Sequence, residues 1–188
     1  MREQAVDRPA TQRALGLLAA AAVAMSQTAC GSSPTGAEAL QQDLDVVRAA
    51  TARYQDVSVA LQDGYVADPF CVASPAGTMG IHYLNSQRID NLLVAERPEI
   101  LLYVNEGGAL RLVAVEYLVP VFQGGVPHFG PAAPAQSGPT PTMFGQSFQG
   151  PMPGHSPTMP WHYDLHVWLF RDNPSGVFSQ WNPALSCS

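Results

Sequence analysis

PEILLYVNEGGALRLVAVEYLVPV, residues 98–121, reads as a β-hairpin. Leu, Val and Tyr fill both arms, and Gly107–Gly108, between Glu106 and Ala109, supply the positive φ angles that a tight hairpin turn demands. The stretch therefore predicts two adjacent antiparallel strands. Upstream the period changes from two to between three and four. Thr35 and Glu38 form a T-x-x-E capping box, and Leu40, Leu44, Val47, Thr51, Tyr54, Val57 and Leu61 recur at helical spacing until Gly64. This predicts one long amphipathic helix with Asp43, Arg48 and Asp56 on its solvated side. TMGIHYLN (78–85) and WHYDLHVWLF (161–170) read as further strands, the second closed by the NPSG turn at 173–176. Residues 86–97 carry a short helix or a turn. Residues 123–160 hold nine prolines and seven glycines. This long Pro/Gly-rich loop is read as a wrap over one sheet face, since Phe129, Phe144 and Phe148 have little use in a solvated linker. The expected class is α+β, with the helix packed on a mainly antiparallel sheet.

The ends of the chain bear on location and covalent chemistry. Arg2, Arg8 and Arg13 precede ALGLLAAAAVAM, an apolar run too short to span a bilayer but suited to a secretory signal. SQTACGSSPTG follows, with small residues before Cys30 and a flexible tether after it, as at a lipoprotein maturation site. Gln27 departs from the usual aliphatic residue there, and AVA at 22–24 is a competing site for plain secretion. The organisation expected is a signal at 1–29, a tether at 30–36 and a single domain at 37–188, outside the cytoplasm and anchored through lipid on Cys30. With Cys30 so used, Cys71 and Cys187 remain to form a disulfide; two separate buried thiols are the alternative. From Cys30 onward six arginines face thirteen acidic residues, a formal charge of −7 that disfavours nucleic acid. Protein partners are not legible.

FGQSFQGPMPGHSPTMPWHYDLHVWLF, with TMGIHY, LRLVAVEYLVP and NPSGVFSQWNP, resembles a group of uncharacterised secreted bacterial proteins and lipoproteins over residues 64–188. The resemblance implies export and carries no activity.

Function has to be read from the ionisable residues. MPGHSPTMPWHYDLH, 152–166, holds three of the chain's five histidines. On a strand, His162, Asp164, His166 and Trp168 share one face, and Tyr163, Leu165, Val167 and Leu169 form the core face. Positions i and i+4 lie ~13 Å apart, so His162 and His166 do not readily ligate one ion, whereas neighbours ~6.7 Å apart can. A third ligand must come from elsewhere, and His82 is the natural candidate. Were 161–171 helical instead, both histidines would face the same way. Glu116, a lone carboxylate in LVAVEYLVP placed on the face of Leu112, Ala114 and Leu118, needs a partner such as histidine unless it is a surface residue. His82, His155, His162, Asp164 and His166 are thus the candidate metal ligands. Met79, Met152 and Met159 are interleaved with them, which points to copper, with zinc or iron as alternatives. Binding is expected to fade below pH ~6.5, where free imidazole protonates. No catalytic residue is assigned: Ser156 and Ser186 lack a nucleophile elbow. The leading expectation is a copper-binding envelope lipoprotein. Its alternatives are a metal-free envelope binding or structural module, whose His-bearing face is simply wet or hydrogen-bonded, and a mononuclear enzyme with a 2-His-1-carboxylate site.

Overall fold

A computed structural model of the chain describes residues 35–135 and 138–187. The signal segment, Cys30 and most of the tether lie outside them. Among the described residues no helix is long and apolar enough to cross a membrane.

Thr35 opens the domain as the N-cap, its hydroxyl accepting from the Glu38 amide while the Glu38 carboxylate accepts from the Thr35 amide. The last tether positions are thus already part of α1, Gly36–Thr51. The single helix expected to reach Gly64 is broken. A 3-10 turn, Ala52–Gln55, follows α1, and α2 starts afresh at Val57–Gln62. Asp56 causes the break: its backbone is extended (φ −89°, ψ 106°) and its carboxylate accepts from the Ser58 amide and hydroxyl. A short acidic side chain that captures nearby donors favours capping over continuation.

The hairpin forms as read: β3, Ile100–Glu106, pairs with β4, Ala109–Pro120. Before it come β1, Val66–Ser74, and β2, Gly77–Leu84. Residues 86–97 contain one 3-10 turn, Ser86–Arg88. The Pro/Gly-rich stretch is not one loop. It folds into the two-residue hairpins β5 (Phe122–Gln123) with β6 (Val126–Pro127) and β7 (Thr142–Met143) with β8 (Gln146–Ser147), then β9, Gln149–Met152. The final strand, β10, is His162–Val167, so WHYDLHVWLF is extended and not helical. The main sheet runs β1-β2-β3-β4-β10-β9 with every neighbour antiparallel.

Both faces of this sheet are covered. On one, Leu44, Val47, Tyr54 and Ala60 of the helices pack with Tyr103, Val115, Tyr117, Leu165 and Val167. The Tyr103 hydroxyl donates to the Tyr54 carbonyl (2.5 Å) and Arg48 Nε to the Leu169 carbonyl (3.3 Å), fastening helix to sheet. On the other face Ile100, Leu102, Val113, Ala114, Leu118 and Trp168 pack with Met159 from the Pro-rich stretch. A bulge corrects the strand phase expected for β4. Leu102 pairs with Ala114 but Tyr103 with Leu112, leaving Val113 as the extra residue. Leu112 consequently joins the helix-covered face, while Glu116 stays with Ala114 and Leu118 on the other.

Cys71, at the edge of the sheet, is bonded to Cys187 with α carbons 5.8 Å apart. The bond pins the C-terminal segment, whose Asn182 also bridges Thr78 of β2.

Candidate metal centre

Period-two alternation delivers the chemistry. His82 from β2, Glu116 from β4, and His162, Asp164 and His166 from β10 all stand on the face away from the helices. Register brings them together, since His166 is paired directly with Glu116. His155 is added from the turn between β9 and β10, held down where Gly154 packs so tightly that a Cβ would lie 2.1 Å from the Met159 carbonyl oxygen.

Burial excludes the wet-face reading. His82, Glu116, His162 and Asp164 are 0% exposed and His166 1%. Two groups of three result, His82–Glu116–His166 and His155–His162–Asp164, each offering donor atoms within 4.8 Å of one another. In the first, Glu116 Oε2 is 3.2 Å from His82 Nε2 and 3.5 Å from His166 Nε2. In the second, Asp164 Oδ2 is 3.9 Å from His162 Nε2, and the His155 and His162 rings are 6.2 Å apart. His162 and His166, four residues apart on one strand, fall into different groups. His82, however, joins His166 and Glu116, not His162. Glu116 is the candidate ligand that the sequence marks only as an oddity, and its full burial overturns the surface alternative. His128 stands apart, its Nε2 against the Ala132 carbonyl oxygen.

Hydrogen bonding singles out the same six side chains. Among the described residues, nine buried side-chain nitrogen and oxygen atoms lack a partner in the protein, and all nine belong to this cluster. Left unsatisfied, each would cost ~1–3 kcal/mol, and together they would match or exceed the ~5–15 kcal/mol stability of a typical domain. Cation binding gives a partner to the lone pairs in such a set, and these buried His/Glu/Asp groups could hold a metal. The orientation of one ring is prepared: His162 Nδ1 lies 2.8 Å from the Pro160 carbonyl oxygen, so Nδ1–H donates there and Nε2 is free to ligate.

The electrostatics fit a site that is neutral before a cation arrives. Burial pushes the Glu116 carboxyl up to about 8, His155 pulling the other way. Burial, reinforced by Glu116, does the same to Asp164. Burial also holds His82 down to about 4, against the Asp68 carboxylate, and His162 down to about 4, against the Pro160 carbonyl. His166 falls well below the ordinary imidazole value through burial and the three neighbouring histidines, and burial lowers His155 as well. Asp68 was not foreseen as part of the site. It lies in the bulge of β1 between Ala67 and Cys71 and shares with His82 the wall of a cavity of about 450 Å³, bounded by Phe70, Leu84 and Met159. A second cavity, about 350 Å³, is lined by His155, Trp161 and Phe129. Of the methionines, Met79 is buried in the core, Met159 packs in the apolar cluster and lines both cavities, and the Met152 sulfur lies 3.7 Å from Gln180 Nε2.

No protein-family model matches the chain, and no curated protein or solved structure matches it. The function therefore rests on the site itself.

Proposed function

We propose that this is an exported protein, tethered to the cell envelope by lipid on Cys30, that binds a divalent transition-metal ion among His82, Glu116 and His166. The observation that supports it is a fully buried set of two imidazoles and one carboxylate whose facing atoms converge without making a hydrogen bond. Imidazole and carboxylate suit Cu(II), Zn(II) and Fe(II), whereas Cu(I) prefers thioether. Copper stays the leading candidate, as Cu(II), because N/O sites bind it most tightly among the first-row divalent ions. Elemental analysis of protein from its native envelope, with competitive titration of Cu(I), Cu(II) and Zn(II), tests this. Stoichiometric uptake by the wild type, with the ion at this group lost in His82→Ala and in Glu116→Gln, is expected; uptake no tighter than nonspecific binding in the wild type moves the protein to the metal-free class. Cys30→Ser should release the protein from membranes, and retention there would mean that the signal segment is itself the anchor.

A mononuclear metalloenzyme is the second reading, favoured by the cavity beside His82. Two histidines and one carboxylate leave coordination positions open, and the cavity has room for a small molecule. Azide added to the Co(II)-loaded protein distinguishes the two, since an altered visible spectrum indicates an open position and an unaltered one indicates storage or delivery.

A further inference from the structure

The row His162–Asp164–His166 is longer than one ion can use. Its ends are ~13 Å apart along β10, while ligand bonds near 2 Å hold donor atoms within a few Å of each other. Each end nevertheless has its own partners from other elements: Glu116 and His82 at His166, and His155 at His162. His162 and Asp164 are fully buried, and His162 Nε2 and both Asp164 oxygens are without a partner in the protein. A single ion at the His82 group would leave those three atoms unsatisfied.

We propose that His155, His162 and Asp164 bind a second divalent transition-metal ion, so that the cluster is a two-ion centre with a deep and a shallow half. The proposal rests on the deep site suggested above. Burial distinguishes the halves. Each borders a cavity, His82 the 450 Å³ one and His155 the 350 Å³ one, but His82, Glu116 and His166 are all buried, whereas His155 is only partly so. The second ion, held by the one partly exposed ligand, is therefore the more weakly bound. The halves meet at the His166 ring, which turns Nε2 toward Glu116 (3.5 Å) and Nδ1 toward Asp164 Oδ2 (3.8 Å). Asp164 thus stands to serve the shallow ion as ligand while its charge lies next to the His166 ring of the deep half. An ion on Asp164 neutralises that carboxylate and repels its neighbour, so filling one half weakens the other.

Native mass spectrometry counts ions per chain, and Zn(II) titration against a competing chelator gives the two affinities. The mature protein should take two Zn(II), the second at least ~10-fold more weakly. His155→Ala, on a partly exposed turn and so the variant least at risk of misfolding, should take one, as should Asp164→Asn; Glu116→Gln should also take one, keeping the shallow ion. A wild-type protein that saturates at one ion, or a His155→Ala protein that still takes two, overturns the second site and leaves the deep one standing. No Zn(II) at all in the wild type removes both.

Discussion

Glu116 enters the core between two imidazoles that cannot neutralise it, because burial keeps them unprotonated; the carboxyl instead retains its proton well above the ordinary range. An incoming ion has to displace that proton. Uptake at pH 7 should therefore release protons, seen as a dependence of the calorimetric heat on the ionisation enthalpy of the buffer. Affinity should fall ~10-fold per pH unit for each proton displaced, starting below the raised carboxyl value. The imidazoles add their own competition only near pH 4, where His82 protonates, and not at the 6.5 of free histidine. A profile that is flat from pH 7.5 to 6.5 and breaks at 6.5 would refute this account. Glu116→Gln keeps the shape but loses the anionic donor. Loss of an outer hydrogen-bond partner commonly costs ~10–100-fold in metal affinity, so this direct ligand should cost more. At this scale His82, His155, His162, Asp164 and His166 were legible because each is a histidine or a partner of one on an apolar strand. Glu116 was legible only as an oddity, since its partners sit on strands whose pairing no local pattern specifies. Asp68 gave no signal, because it sits in a bulge.

Period and punctuation made the elements legible, and single residues that outvote them made the rest obscure. The hairpin at 98–121 and the strands around His82 and His162 follow from alternation and from Gly107–Gly108, both at positive φ. What failed was phase. Val113 slips the strand by one residue and exchanges the faces of its neighbours, and Asp56 divides a helix whose apolar spacing runs on unbroken. The Pro-rich stretch was legible as a cover for the polar face, but its small hairpins were not, because two-residue strands have no period to detect. Gly154 carries a prediction at this scale. Gly154→Ala would place a methyl 2.1 Å from the Met159 carbonyl oxygen, against backbone that cannot simply rotate away. The turn should shift, costing ~1–3 kcal/mol as an overpacked site does. His155 should be misplaced while His82, Glu116 and His166 keep their strands. Denaturant melts and a zinc titration should show lower stability and a weakened second step. An unchanged second step would detach the turn geometry from ion binding.

The disulfide operates on the whole chain, closing a separation of 116 residues between the sheet edge and the C-terminus. Its loss should cost up to ~4–5 kcal/mol by the loop-entropy relation, read as a lower denaturation midpoint for Cys71→Ser with Cys187→Ser. This pairing was legible by counting once Cys30 was set aside.

The pH dependence of the metal-free protein is also a property of the whole molecule, because buried acids and buried bases pull in opposite directions. Glu99, nearly sealed and accepting from the Leu118 amide, is pushed by burial up to about 8, and burial raises Glu116 and Asp164 too. Unfolded, these carboxyls lose their protons near pH 4, so at higher pH the unfolded chain binds fewer protons than the folded one. Stability then falls as pH rises, by ~1.4 kcal/mol per pH unit for each such group, until the folded-state value is passed. The histidines act with the opposite sign. With folded-state values lowered, to about 4 for His82 and His162, they make stability rise with pH up to the unfolded value near 6.5 and contribute little above it. Below pH 6.5 the two sets oppose each other; between 6.5 and 8 the carboxyls act almost alone. Metal-free protein should therefore lose stability steadily from pH 6.5 to 8 in urea melts. Glu99→Gln should lessen the slope by about one carboxyl's share. Bound metal should lessen it further, because a ligating Glu116 carries no proton in the folded state. A slope that is zero or positive over this range in the metal-free protein would mean that the buried carboxyls are already ionised at neutral pH, and the charge that the ion is proposed to supply would have to come from elsewhere in the cluster.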